Sequence, residues 1–156
     1  MSLKRNQSGF TIVELLIVII VIGILATLVL VTFTGIQQSA RNTQRQTDIK
    51  AVASHLETYN AKNSFYPTVT DMNTPATIAT DLKGLDKEST RDPKAGTTAA
   101  DYQFINGDAT SLKYGYKPTK DDGTQPCDNA IAGSECTKFT LSYVEEGGAL
   151  KTVTNL

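Results

Sequence analysis

Little in this chain points to bound chemistry. Its 156 residues include one histidine, His55, and two cysteines, Cys127 and Cys136. Two thiols and one imidazole cannot complete a four-ligand zinc site. There is no phosphate loop, nucleophile elbow, zinc helix motif or paired set of cysteine ligands, so the enzymes built on those devices are excluded. His55 has no convergent partners nearby in sequence and reads as a packed or solvated helix residue. The formal charge is −1 and charged residues make up 20 % of the chain, without the basic run that a polyanion-binding protein would show. The densest charged stretch, Arg41 to Lys50, alternates in sign with uncharged residues and reads as a solvated helix face. The expectation is a protein that is not an enzyme and needs no cofactor.

Charge is scarcest near the N-terminus. From Phe10 to Phe33 the only ionisable residue is Glu14, whereas everything after Gly35 is rich in polar residues. The mean hydropathy of −0.20 therefore averages two different materials. As a helix, Phe10 to Phe33 would rise about 36 Å, enough to cross a hydrocarbon core of about 30 Å. Lys4 and Arg5 beside that span hold its N-terminal end in the cytoplasm by the positive-inside rule, which puts the remainder outside. An ordinary secretory signal has a shorter apolar stretch followed by a small-residue cleavage site. Here the small-residue junction, Ser8-Gly9, precedes the apolar run.

Glu14 sharpens that inversion, because a carboxylate within an apolar span is costly unless it is paired or close to the interface. Cleavage after Gly9 makes Phe10 a free amine and leaves Glu14 one helical turn along. The carboxylate then lies near the positive end of its own helix. It can also pair with the Phe10 amine of a neighbouring copy, so that a helix docked without that partner leaves a charge uncompensated. With the rest of the chain outside the cytoplasm, a disulfide closing the loop between Cys127 and Cys136 is the better reading than two free thiols.

Lys4-Arg5 followed by Gly9-Phe10-Thr11-Ile12-Val13-Glu14 and the apolar run resembles the class III signal of type IV pilins and type II secretion pseudopilins. The resemblance implies that a prepilin peptidase cuts between Gly9 and Phe10 and methylates the new Phe10 amine. It further implies that Glu14 is the assembly carboxylate, and that Gly23 matches a glycine of the family's apolar helix. Val31 stands where many members carry a proline. The implied function is a structural subunit of a type IV pilus, polymerising through its N-terminal helix into a cell-surface filament for adhesion, motility or DNA uptake. The alternative is a pseudopilin of a type II secretion system. A third reading, a single-pass membrane-anchored binding domain, involves no polymer. The two cysteines near the C-terminus tilt this reading towards the pilus.

The implied partners are other copies or other pilins, the prepilin peptidase, and the pilus or type II secretion machinery of the inner membrane, with nucleic acid only as filament cargo. The implied location is the cytoplasmic membrane and then the extracellular filament. The expected organisation is a leader over 1–9, a transmembrane assembly helix over 10–35 and a soluble domain over 36–156. Within that domain Ile49, Val52, Ala53, Leu56 and Tyr59 form one face of a helix continuing to about Lys62. Residues 63–101 read as a variable loop with a short helix over Pro75 to Leu85. Strand signals fill 102–156. They are Tyr102 to Ile105, a turn at Asn106-Gly107, Leu112 to Tyr116, Lys138 to Val144 and an edge strand over Leu150 to Val153. The fold expected is α+β, a long N-terminal helix covering three or four antiparallel strands. Asp108, Asp121, Asp122 and Asp128 raise structural calcium, which some major pseudopilins carry, but Asp121-Asp122-Gly123 is ordinary turn chemistry and no EF-hand spacing occurs.

Overall fold

The computed structural model describes residues 9–155. They divide into two units, one ending at Ser39 and one beginning at Ala40. One helix, α1 (Ile12–Asn63), contributes to both. It begins at a capping box: the Thr11 hydroxyl accepts from the Glu14 amide at 3.2 Å, and the Glu14 carboxylate accepts from the Thr11 amide at 3.0 Å. That reciprocal pair satisfies two amides which the first turn leaves open. The backbone stays helical through position 31. At its other end Asn63 donates to the Tyr59 carbonyl at 3.0 Å, and Ser64 adopts φ 67° while its amide reaches the Asn60 carbonyl. This left-handed residue and then Pro67 stop the helix.

In the unit from Ala40, Ile49, Val52 and Leu56 have no exposed surface and Tyr59 is buried behind them. They share one core with Met72, Leu82, Leu85, Phe104 and the inward residues of a four-stranded sheet. The sheet consists of β1 (Ile105–Asn106), β2 (Gly115–Thr119), β3 (Lys138–Val144) and β4 (Leu150–Thr154), in that spatial order. β3 has the bounds read from sequence, and Phe139, Leu141 and Tyr143 point into the core as their alternation requires. Aromatic rings dominate this layer, with Tyr66 edge-on to Phe139 at 4.8 Å between centroids.

The sheet is mixed rather than wholly antiparallel, since β1 runs parallel to β2 while the other pairs are antiparallel. The Asn106-Gly107 turn does not make a hairpin. Instead, residues 107–109 fold across the outer face of the sheet at Gly115 and its register partner Ser142. Any Cβ on Gly115 would run into the Gly107 carbonyl, the Ala109 amide and the Ser142 hydroxyl. The missing side chain provides room for the loop, and the Ser142 hydroxyl accepts from the Ala109 amide at 2.8 Å. That exchange takes the chain back beside β2 in the parallel sense.

The segment expected as a loop with one helix is more ordered than its composition suggests. It holds α2 (Val69–Met72), α3 (Pro75–Thr80) and two single 3₁₀ turns at Lys87–Thr90 and Ala99–Tyr102. α3 is shorter than the helix expected over Pro75 to Leu85. The Asp81 and Leu82 amides both return to the Thr77 carbonyl, and Gly84 follows at φ 94°. Leu82 and Leu85 still enter the core, from a turn rather than a helix.

Candidate functional site

In the unit ending at Ser39 the apolar stretch of α1 is exposed on every side. Phe10, Leu15, Ile19, Ile22, Leu25 and Leu28 are all exposed, so the helix presents no single buried face within this unit. This stretch is long and apolar enough to cross a membrane. A helix hydrophobic all round is suited to lipid or to the middle of a bundle. Thr27 and Thr32 satisfy their hydroxyls within the helix, turning them back onto the carbonyls of Ile24 and Leu28. An added Cβ at Gly23 or Gly35 would meet nothing, so both mark flat places on the helix surface.

Glu14 is the one charged side chain on this surface. Its carboxylate also accepts from the Thr11 hydroxyl at 3.0 Å, so Thr11 engages a single Glu14 oxygen twice. The arrangement holds the carboxylate against the positive end of its own helix, one turn from the Gly9-Phe10 junction. Lys4 and Arg5 lie outside the described residues.

The unit from Ala40 treats charge differently. Arg45 and Asp48, read from sequence as part of a solvated face, are buried. Both Arg45 and Asp92 have only 1 % of their side chains exposed, and they form a two-pronged pair at 2.6 and 3.0 Å. The remaining Arg45 N–H groups reach Asn42 Oδ1 at 2.9 Å and Glu146 Oε1 at 3.3 Å. Glu146 lies between β3 and β4. It also accepts from Arg41 at 2.6 Å and from Lys94 at 3.1 Å, and its own amide donates to Asn42. The Arg41 hydrogen bond, seconded by Lys94, holds the Glu146 carboxyl at about 2. One turn further along α1, Asp48 accepts from the Tyr114 hydroxyl at 2.9 Å, and burial pushes its carboxyl above the usual range.

The sequence carried a signal for these buried charges. Positions 45, 48, 49, 52, 56 and 59 recur at steps of three, one, three, four and three, so the apolar stripe continues backwards through Arg45 and Asp48. Only the polarity of those two residues argues for solvent. Their partners are distant in sequence: Asp92 and Glu146 lie 47 and 101 residues from Arg45, and Tyr114 lies 66 from Asp48.

Cys127 and Cys136 are joined in a disulfide. Asn129 fastens the loop they close, donating to the Tyr66 carbonyl at 2.8 Å and accepting from the Cys136 amide at 2.9 Å. Asp122 and Asp128 each turn a carboxylate oxygen onto backbone amides of the residues that follow, which is turn chemistry. Among the described residues no three histidine, cysteine or acidic side chains converge on one point. His55 lies half-buried on α1, with its ring beside Gly84.

A model of the prokaryotic N-terminal methylation motif matches residues 4–30. The type II secretion system core protein G of Aeromonas hydrophila is 42 % identical over 65 residues, covering 42 % of this chain and 46 % of that protein. Its namesake in Pseudomonas aeruginosa is 41 % identical over 64 residues, 41 % of this chain and 45 % of the relative. The Vibrio cholerae protein of the same name is 37 % identical over 78 residues, half of this chain and 53 % of the relative. The chain thus spans about half the length of the curated relatives it matches. No solved structure matches. The chain therefore carries a prokaryotic N-terminal methylation motif on a pilin-like α+β fold.

Proposed function

We propose that this chain is a pseudopilin-type structural subunit, processed at its N-terminus and polymerised through the apolar half of α1. The similarity to type II secretion core protein G favours this over the surface pilus that the cysteines suggested. A surface filament for adhesion, motility or DNA uptake is the second reading, supported by the methylation motif that both kinds of subunit share.

In the mechanism we infer, cleavage between Gly9 and Phe10 releases the Phe10 amine, which is then methylated. The leader with Lys4 and Arg5 stays on the cytoplasmic side until it is removed. The subunit waits in the membrane as a single-pass protein, its unit from Ala40 outside. Docking sets the Glu14 carboxylate of one copy against the Phe10 amine of another, and the apolar helices leave lipid for a bundle of their own kind. Lipid tails are as apolar as leucine, so close packing and the charge pair drive this step more than the hydrophobic effect does. The partners on this reading are further copies or sister pilins, the prepilin peptidase and the inner-membrane assembly machinery.

The observation that carries the proposal is one carboxylate, a turn from Gly9-Phe10, on a helix otherwise apolar all round. Mass spectrometry of the mature N-terminus is expected to find methylated Phe10. An intact Met1 to Gly9 segment in the mature protein would refute the processing step. Glu14→Ala is expected to insert into the membrane normally and to be missing from filaments; ordinary filaments from that variant would refute the assembly step. Electron microscopy of sheared filaments separates a short pseudopilus from a long surface fibre.

A further inference from the structure

The unit from Ala40 carries an apolar recess and an apolar projection that share no residue. The recess is a cavity of about 400 Å³, lined chiefly by Pro75, Ile78, Leu85, Ala99 and Tyr102, with Lys87 as its one charged lining residue. The Lys87 ammonium lies 4.1 Å from the centre of the Tyr102 ring and makes no ion pair among the described residues. The carboxylates beside it in sequence make their hydrogen bonds to other groups. Glu88 is held by Arg91 at 2.7 Å and by the Tyr102 hydroxyl at 2.8 Å, and Asp86 accepts from the Glu88 amide.

The projection is the tip of the loop closed by Cys127 and Cys136. Ile131 stands there with 58 % of its surface exposed, between the exposed Ala130 and Ala132. Its position is fixed from below. The Ile131 amide donates to the Asp128 carbonyl, the Ser134 amide donates to Ile131, and the Asp128 amide donates to Ser134 at 2.7 Å. The disulfide and the two Asn129 bonds hold the base. The backbone that displays this side chain has little conformational freedom left to lose on being covered. Acidic Asp128 and Glu135 flank it, each with one carboxylate oxygen on a backbone amide of the loop, those of Ala130 and Gly133.

We propose that the recess receives the Ala130-Ile131-Ala132 tip of a second copy, with Lys87 facing that copy's Asp128 and Glu135. The match is apolar against apolar at the centre and positive against negative at the rim, the order found in protein interfaces. Because recess and tip are different surfaces of one chain, the contact is heterologous. Repeated head to tail without closure, it generates a helical filament. The inference rests on the proposed assembly and adds to it a contact between the units outside the membrane.

The test is zero-length carbodiimide cross-linking of filaments of the full chain, made from mixed light- and heavy-isotope copies so that links between copies stand out. A link between copies from Lys87 to Asp128 or Glu135 is expected. Filaments giving no such link, or linking Lys87 to any other segment of a neighbour, overturn the contact and leave the Glu14 assembly step standing. Ile131→Asp, on an exposed tip, is expected to be processed at Gly9-Phe10 as usual and to lower filament yield about tenfold or more. An unchanged yield counts against the contact. Should Glu14→Ala form normal filaments, it is the underlying assembly reading that fails.

Discussion

The two units handle a charged side chain in opposite ways. Before Ser39 a single carboxylate, Glu14, stands on an exposed apolar helix and, among the described residues, is satisfied by the capping threonine of its own first turn. After Ala40, Arg45 and Asp92 are almost wholly buried, and Arg45 bonds directly to both Asp92 and Glu146. A charge inside a fold must find its partners there, because an uncompensated one costs several kcal/mol. A charge on a surface that awaits a partner needs only a provisional hydrogen bond. The difference separates a site that the chain completes by itself from one that it leaves for another molecule.

Breaking each arrangement sharpens this contrast. Arg45→Ala leaves Asp92 and part of Glu146 buried without their partner and is expected to cost about 3–5 kcal/mol. Chemical denaturation of the full chain in detergent measures it, and Glu14→Ala should shift the same transition by under about 0.5 kcal/mol. The double change Arg45→Met with Asp92→Leu should recover most of the loss, because an apolar pair removes both charges together. Gly115→Ala comes next, at about 2–4 kcal/mol, since its Cβ meets the backbone of residues 107 and 109, which cannot move aside as a flexible side chain would. A fully stable Gly115→Ala would mean that the loop packs elsewhere.

Two smaller effects follow from titration and from the end of α1. Glu146 is depressed to about 2, so its contribution is complete above the ordinary carboxylate range and is lost as pH falls from about 4.5 through 2. Asp48 is raised, so its contribution has the opposite sign. It is complete below about 3.9 and is lost as pH rises through the elevated value. Asp48→Asn keeps an acceptor for the Tyr114 hydroxyl and is expected to gain about 1 kcal/mol at pH 7 and close to nothing at pH 3. A loss at pH 7 would show that the carboxylate charge is compensated after all. Ser64→Gly removes the strain of a left-handed serine and should add about 0.5–1 kcal/mol in the same denaturation experiment.

The sequence made some of this legible because the physics there is local. The apolar run, the offset of Glu14 from Gly9-Phe10 and the alternation of β3 are set by neighbours within one or two turns or pleats. The stripe from Ile49 to Tyr59 announced the covering helix for the same reason. What stayed hidden depends on distance along the chain. Arg45 looks soluble until Asp92 and Glu146 arrive from 47 and 101 residues away. The Asn106-Gly107 pair looks like a hairpin until the gap at Gly115 offers the loop another place to lie. The order in residues 68–100 rests on Leu82 and Leu85 entering a core built by other elements, and no composition rule sees that.

Glu146 also imposes an order in time. It stands near the C-terminal end of the chain, while Arg41, Asn42 and Arg45, which converge on it with Lys94, emerge from the ribosome about a hundred residues earlier. Until the hairpin of β3 and β4 is made, Arg41 and Lys94 lack the carboxylate that holds them and Arg45 has only Asp92. A chain cut short at Val144 should therefore be degraded in pulse-chase labelling while the full-length chain persists.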